Sequence, residues 1–193
     1  MTCIVAVVND DGDMFMGSDS LSSGEKKCRV VTNRKVFKSG EFLIGYTTSW
    51  RMGQLLEFSF NIPPLDPETQ DIMAYMVNKF VPAVIDLFIK GNFGNQEHTV
   101  KVGGSFLVIV RSIIFEIQDD FSVLQIHSNY ASVGSGAEVA MGALAALNQG
   151  REHSTYATCV AALEIASKHV VSVGGKPRII SLINEHSEVK TLT

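Results

Sequence analysis

The chain has 193 residues, of which 46% are hydrophobic and 19% are charged, and its formal net charge at pH 7 is −4. This length and composition are typical of one globular domain and exclude a disordered or fibrous protein, so we expect a single domain over residues 1–193. The mildly acidic balance offers no attraction to nucleic acid or to anionic lipid.

Cysteine usage and the N-terminal residues narrow the class further. Cys3, Cys28 and Cys159 lie far apart and form no Cys-x-x-Cys pair. This spacing predicts neither a zinc site nor a disulfide framework, and we expect no cofactor. The apolar run from Cys3 to Val8 is too short for a signal or a membrane helix, and no positively charged segment precedes it. We therefore expect a cytoplasmic protein without a membrane segment.

The N-terminal part of the chain predicts paired strands. Residues 3–8 are apolar at consecutive positions, which predicts a strand covered on both faces. A turn over residues 9–13 leads into a second strand, and antiparallel pairing returns its end, Asp19, to the start of the first strand. Residues 20–27 predict a loop. The strands that follow are expected at 29–31, at 35–37, with Lys35 inside the strand, and at 42–46.

Two helices are predicted next. Thr47-Thr48-Ser49 supplies an N-cap for a helix that runs to about Phe60. Three prolines within residues 61–67 end that helix. Apolar residues then repeat at helical intervals from Thr69 to about Ile89, with Pro82 as the expected position of a kink.

The second half of the chain repeats this order of strands and helices. A polar loop over 91–101, with its tip at Gly94-Asn95, leads into a predicted meander of four strands. Two helices and a closing hairpin around residues 184–186 follow. The predicted strands are 105–111, 113–117, 122–127 and 130–133, the helices are 137–147 and 155–171, and the hairpin strands are 178–183 and 189–192.

The strands in both blocks are apolar on both faces, so each sheet must be covered on both sides. Two mainly antiparallel sheets that pack together, with helices outside, satisfy this requirement. The predicted fold is therefore α+β, a four-layer αββα sandwich.

Thr2 is the residue with the most distinctive chemistry. If Met1 is removed, Thr2 gains a free α-amine beside its own hydroxyl, so a single residue holds both a base and a nucleophile. The alternative is that Thr2 only precedes a buried first strand, and the N-terminal residues alone leave both interpretations open.

Several short motifs resemble those of one family. The sequence resembles the proteasome-type N-terminal-nucleophile (Ntn) hydrolases, namely proteasome β subunits and the bacterial heat-shock-locus (HslV-type) peptidase that works with an ATP-driven unfoldase. The motifs follow the family's order over most of the chain: Thr2-Cys3-Ile4-Val5, Gly17-Ser18-Asp19-Ser20, Lys35-Val36, Gly45-Tyr46-Thr47-Thr48-Ser49 and the segment 130–137. The resemblance implies the same four-layer fold.

The resemblance also implies a role for each of four residues. Thr2 would be the nucleophile and its α-amine the base, acting through a water molecule. Lys35 would disfavour protonation of that amine and stabilise the alkoxide. Asp19 would pair with Lys35, and Ser135 would orient the amine. The residues alone favour a solvated strand lysine at position 35 and an ordinary loop carboxylate at Asp19. Ser135 could be a helix N-cap, which is compatible with its implied role.

The motif at residues 45–49 implies an oxyanion site and a substrate pocket. A backbone N–H of the Thr47-Thr48 turn would meet the oxyanion. The family usually has glycine where Thr48 falls, and the larger side chain is expected to narrow the groove. Tyr46 falls at the position that shapes the pocket for the residue before the cut, which favours small or apolar groups.

A second departure lies before Gly174-Gly175. The family pattern there is Asp-x-x-Ser, and the matching positions are Val170 and Val173. We therefore expect the supporting polar network of the family to be missing.

The resemblance implies a threonine-type peptidase that acts on peptides or unfolded proteins and assembles into a homo-oligomeric ring, with an ATP-dependent unfoldase as its partner. Two other functions stay open. One is a catalytically inactive, ring-forming scaffold, since a retained Met1 would turn the Thr2 amine into an amide. The other is an amidase that acts on a small molecule, since a threonine nucleophile does not identify its amide.

Overall fold

The computed structural model describes residues 1–24, 27–93, 104–148 and 156–184. Within these ranges the chain forms eleven strands and four helices. The strands are β1 Cys3–Val8, β2 Met14–Ser18, β3 Leu21–Ser23, β4 Cys28–Val30, β5 Val36–Ser39, β6 Phe42–Tyr46, β7 Phe106–Val110, β8 Ile113–Ile117, β9 Val123–Gln125, β10 Tyr130–Gly134 and β11 Arg178–Leu182. The helices are α1 Trp50–Phe58, α2 Ile72–Lys90, α3 Ala137–Asn148 and α4 Tyr156–His169.

The first strand lies inside a four-stranded antiparallel sheet with the order β10-β1-β2-β11. All six residues of β1 are buried, as the continuous apolar run predicts. Cys3 pairs with Gly134 of β10, and Ile4 pairs with Ser18 of β2. The start of β1 and the ends of β2 and β10 therefore meet at one edge of the sheet.

A second antiparallel sheet has the order β5-β6-β7-β8-β9. The predicted four-stranded meander is wrong in its last member, because β10 leaves this sheet and pairs with β1. The reason is that β1 is fully buried, so the backbone N–H and C=O groups along both of its edges need a strand partner, and β2 supplies only one. β10 offers Ala131 and Val133, both of which pack against β1 between the two sheets.

Three apolar clusters fill the space around the sheets. One lies between the two sheets and contains Ile4 and Met16 from the first sheet and Leu43 and Leu107 from the second. A second joins the outer face of the four-stranded sheet to α3 and α4, and a third joins the outer face of the five-stranded sheet to α1 and α2. Gly45 permits the close approach of the sheets, because a Cβ there would lie 2.7 Å from side-chain atoms of Ile4 and Met16.

The predicted loop over 20–27 is wrong in its first half, because β3 lies within it and pairs with β4 as a separate two-stranded sheet, whereas β4 corresponds to the strand predicted at 29–31. β3 has three residues, two of them serines, so the hydrophobic pattern carries no strand signal there. Lys35 directly precedes β5 and is not inside it, although its carbonyl accepts the Tyr46 N–H and so continues the ladder.

β11 pairs with β2, and its predicted partner strand at 189–192 lies outside the described residues.

The four predicted helices are confirmed within a few residues at each described end. Ser49 caps α1, since its hydroxyl accepts the N–H groups of Arg51 and Met52. In α2 a π-helical turn, Met76–Phe80, lies just before Pro82, which has no N–H to donate into a regular ladder. The predicted start of α4 at Thr155 and most of the predicted loop 91–101, including its tip Gly94-Asn95, lie outside the described residues.

By length and composition alone, α2 could cross a membrane. Buried core helices pass the same test, and α2 packs Phe80, Val84 and Phe88 into the apolar cluster on the five-stranded sheet. This helix is therefore weak support for a membrane segment.

Candidate active site

Thr2 lies directly before β1 and is held through the backbone on both sides. Its N–H donates to Ser135 Oγ at 3.2 Å, and its carbonyl accepts the N–H of Gly136 at 3.3 Å. Gly134 has a φ of +99°, and a Cβ there would lie 2.2 Å from the Thr2 carbonyl oxygen. Only glycine fits at this position, so the sequence Gly134-Ser135-Gly136 holds Thr2 at the edge of the sheet.

Asp19 accepts hydrogen bonds from several groups around the start of β1. Its Oδ1 atom accepts the N–H of Cys3 at 3.0 Å, and its Oδ2 atom accepts those of Leu21 at 3.2 Å and Gly174 at 3.3 Å. The residue is only 3% exposed. A buried carboxylate requires such donors, and one of them is the peptide N–H that follows Thr2.

Lys35 forms a buried ion pair with Asp19. Its Nζ atom donates to Asp19 Oδ1 at 2.7 Å and to the Leu21 carbonyl at 2.7 Å, and the residue is 3% exposed. Burial lowers the pKa of Lys35, while the negative charge of Asp19 acts in the opposite direction. The structure therefore brings Asp19 and Lys35 together, as the resemblance predicts.

Thr2 and Lys35 both line one cavity of about 380 Å³. Among the described residues, no hydrogen bond joins the Thr2 hydroxyl to Lys35 Nζ, which is directed to Asp19 and Leu21. The two side chains thus line the same cavity without a hydrogen bond between them. The wall opposite them comes from the β6–α1 connection and the first turn of α1, including Tyr46, Thr47, Thr48 and Trp50.

The hydroxyl that holds Thr2 is part of a small network. Ser135 Oγ lies 3.0 Å from Ser172 Oγ, and the Ser172 carbonyl accepts the hydroxyl of Ser23. The Asp-x-x-Ser pattern of the family is absent here, as the sequence indicates, but the region still supplies one hydroxyl beside Ser135. Val170 and Val173 do pack into the apolar cluster, but Ser172 between them supplies a hydroxyl. Sequence reasoning missed Ser172 because it lies one position away from the family pattern.

The Thr47-Thr48 turn has one unused backbone donor. The N–H and the hydroxyl of Thr47 both go to the Ser105 carbonyl, at 3.2 and 2.7 Å. The Thr48 N–H has no partner among the described residues. Thr48 has a φ of +66°, which is rare for a β-branched residue, and its side chain packs against Gly104 and bonds the Thr47 hydroxyl.

Tyr46 and Trp50 form a fixed aromatic wall. The Tyr46 hydroxyl donates to the Arg34 carbonyl at 2.7 Å, and burial raises its pKa. The Trp50 ring meets the Tyr46 ring edge-on at 6.2 Å, and Trp50 Nε1 donates to Ser22 Oγ. Lys35 Nζ lies 5.8 Å from the centre of the Trp50 ring, close enough for a cation–π interaction. Sequence reasoning treated Trp50 only as a helix residue.

The cysteine next to Thr2 is a poor competing nucleophile. Cys3 is fully buried, and burial raises its thiol pKa to about 12. The reactive thiolate form is therefore scarce near neutral pH. Among the described residues, no group of three or more His, Cys, Asp or Glu side chains could hold a metal ion.

No protein-family model matches the sequence, and no curated protein matches it. Solved structures do match. BPH from Thiobacillus denitrificans in complex with epoxomicin aligns with a TM-score of 0.77 at 16% identity, over 94% of this chain and 98% of that one. Eukaryotic HslV from Trypanosoma brucei aligns with a TM-score of 0.67 at 17% identity, over 95% of this chain and 100% of that one.

A third match is the Anbu complex of Pseudomonas aeruginosa, described as a helical assembly, with a TM-score of 0.67 at 14% identity over 95% of this chain and 82% of that one. The chain therefore has the proteasome-like fold of the Ntn hydrolases. Within that class, its fold is that of the HslV-type proteins, and the predicted resemblance is confirmed at the level of fold.

Proposed function

We propose that this protein is a threonine-type peptidase whose nucleophile is Thr2, exposed by removal of Met1. The observation that carries the proposal is the buried Lys35–Asp19 ion pair, which is bonded to the Cys3 N–H directly after Thr2. Burying two charges costs free energy, so the pair is weak evidence for a stabilising role alone. A cation beside an N-terminal threonine does have a chemical use.

Each residue of the site has a role in the proposed reaction. The Thr2 hydroxyl attacks the peptide carbonyl, and the α-amine takes its proton through a water molecule. An α-amine has an ordinary pKa of about 7.7–8.0, and the positive charge of Lys35 lowers this value toward neutral pH. Ser135 orients the amine, since its hydroxyl already accepts a hydrogen bond from the Thr2 nitrogen.

The remaining groups act on the substrate. The Thr48 N–H, which has no partner within the described ranges, stabilises the oxyanion of the tetrahedral intermediate. Collapse of that intermediate expels the amine half of the substrate and leaves an ester on Thr2, which water then hydrolyses. Tyr46 limits the side chain before the cut to small or apolar groups. The Thr47 hydroxyl positions the turn through Ser105 and does not contact the substrate.

The proposal extends to the assembly. The three apolar clusters support the four-layer αββα sandwich, the architecture expected for a subunit of a closed ring. We propose a cytoplasmic homo-oligomeric ring that cleaves short peptides alone and needs an ATP-dependent unfoldase for folded substrates. Light scattering on the purified protein should give a mass that is a multiple of 21.0 kDa, and a monomer would contradict the ring.

One observation favours a second function, an inactive ring-forming scaffold. Thr48 puts a β-branched side chain into the turn where the resemblance calls for glycine, with a left-handed backbone. If this side chain blocks the groove, the fold would serve assembly alone. An amidase that acts on a small molecule would use the same Thr2 chemistry. The range of substrates that it cleaves would distinguish it from a peptidase.

Cleavage assays with Thr2 variants separate these functions. We expect the purified protein to cleave fluorogenic peptides, Thr2→Ser to retain measurable cleavage, and Thr2→Ala to lose it. The Thr158→Ala variant is the control, because Thr158 is a buried threonine on α4, on the outer face of the four-stranded sheet. Equal cleavage by Thr2→Ala and the parent protein would refute Thr2 as the nucleophile. Absence of cleavage by a chain that lacks Met1 would favour the scaffold.

A further inference from the structure

The charge of the cavity differs in sign from that of the whole chain. The chain carries a net charge of −4, but the side chains that line the cavity include Lys27, Arg29 and Lys35 and no carboxylate among the described residues. Asp19 does not line the cavity, but its negative charge offsets the positive charge of Lys35. The uncompensated positive charge therefore comes from Lys27 and Arg29.

Lys27 and Arg29 are carried by the β3–β4 hairpin, which is anchored to the body of the protein. Arg29 pairs with Ser22, and directly opposed residues of an antiparallel pair face the same side. Ser22 in turn accepts the Trp50 indole N–H at the cavity wall. At the base of the hairpin, the Arg178 guanidinium donates to the carbonyls of residues 31–33.

Neither cation is neutralised within the described part of the chain. The two ion pairs found there are Lys35–Asp19 and Arg111–Glu41. In the sequence, Glu25 and Lys26 between Gly24 and Lys27 carry opposite charges and add no net charge. Converging positive charge in a concave site attracts anionic groups more strongly than the same charges on an open surface.

From this geometry we propose that the cavity selects peptides in which an acidic residue, Asp or Glu, is adjacent to the residue whose side chain occupies the pocket shaped by Tyr46. This inference rests on the proposed peptidase function and names its substrate class. A carboxylate can also come from a free peptide C-terminus, and the peptides used in the test must separate the two sources.

The test measures binding and cleavage separately. The Thr2→Ala variant is titrated with fluorescent peptides whose termini are blocked and that carry Glu, Gln or Lys next to the residue in the pocket. A Gln peptide with a free C-terminus is titrated in the same way. We expect the Glu peptide to bind at least about threefold more tightly than the Gln peptide, the Lys peptide to bind most weakly, and the preference to shrink as salt rises.

Matched variants locate the effect. Lys27→Gln and Arg29→Gln should each reduce the preference for Glu, whereas Lys38→Gln, which removes an exposed lysine outside the cavity, should leave it unchanged. Equal binding of the Glu and Gln peptides, no binding by any peptide, or a gain confined to the free C-terminus would overturn the inference. The binding test uses a protein without the Thr2 hydroxyl, so its result is independent of whether the parent protein cleaves peptides.

Discussion

The two ion pairs of the described residues lie at opposite ends of the sheets and differ in burial. Lys35 and Asp19 are both almost fully buried at the edge where β1 begins, and their charged atoms are 2.7 Å apart. Arg111 and Glu41 are partly exposed in turns at the other end, 3.4 Å apart. Exposed pairs contribute little to stability, whereas a buried pair is costly to form and more costly to break. The difference supports the proposed chemical role of the Lys35–Asp19 pair, because a buried ion pair is weak evidence for a purely stabilising role.

Removal of the buried cation should give the largest effect. Lys35→Met retains most of the side-chain volume and removes the charge beside Thr2. We expect peptide cleavage to fall at least about 10²-fold, because correctly placed acid–base groups contribute about 10²–10⁴-fold. Lys38→Met, an exposed lysine on β5, is the control and should change the rate less than about twofold. A Lys35→Met protein with a tenth or more of the parent rate would contradict the assignment.

Matched substitutions of the two carboxylates test the comparison directly. Asp19→Asn leaves Lys35 buried without its counter-charge and should lower the free energy of unfolding by about 3–5 kcal/mol. Glu41→Gln at the exposed pair should lower it by less than about 1 kcal/mol. Urea denaturation of both variants measures the two values. Similar losses in the two proteins would show that burial does not distinguish the pairs.

The response to pH should have opposite signs for stability and for activity. Burial lowers the pKa of Lys35 below its ordinary value of 10.5, which the unfolded chain retains. Between the lowered pKa and 10.5, the unfolded state therefore binds more protons than the folded state. The contribution of Lys35 to stability rises with pH in that window and is lost as pH falls through it. Cleavage should instead decline as pH rises through the lowered pKa, because Lys35 loses its charge.

Cleavage rates and urea denaturation curves, recorded over the same alkaline range, check this prediction. Glu41→Gln should follow the parent protein in both measurements. A cleavage rate that falls only in step with unfolding would show that Lys35 titration does not limit the reaction.

Much of the fold was predictable because long apolar patterns specify their own structure. The β1–β2 hairpin follows from a buried run, a polar turn and a second apolar run, and it returns Asp19 to the N-terminus through antiparallel geometry alone. The helices follow from apolar periodicity, from the Ser49 cap and from the prolines of residues 61–67. The approach of Lys35 to Asp19, in contrast, was available only through the family resemblance.

The errors have a common physical cause, since they depend on long-range pairing. No local pattern shows that β10 leaves one sheet for the other, because strand partners are chosen by the sheet as a whole. β3, with three residues of which two are serines, is too short and too polar to show alternation. Trp50 and Ser172 were missed because nothing in the sequence around either residue indicates a role in the site. Only the folded chain brings Trp50 close to Lys35 and Ser172 close to Ser135.

The smallest expected effect concerns Thr48. Thr48→Gly relieves a left-handed backbone that costs a β-branched residue about 1–2 kcal/mol, but it adds flexibility to the unfolded chain and removes the hydrogen bond to Thr47. We expect stability within about 1 kcal/mol of the parent and faster cleavage of peptides with bulky side chains. Thr47→Gly, which removes the hydroxyl bond to the Ser105 carbonyl, should be less stable than Thr48→Gly. Slower cleavage by Thr48→Gly would contradict a narrowed groove.

The central claim is that Thr2 carries a free amine and a reactive hydroxyl in the mature protein. Intact mass spectrometry before and after incubation with a peptide epoxyketone tests it, because that reagent requires both groups on one residue to form its cyclic adduct. We predict a mass that lacks Met1 and that increases by one inhibitor per chain, with no adduct on Thr2→Ala. A protein that retains Met1, or that lacks Met1 and forms no adduct, would contradict the claim.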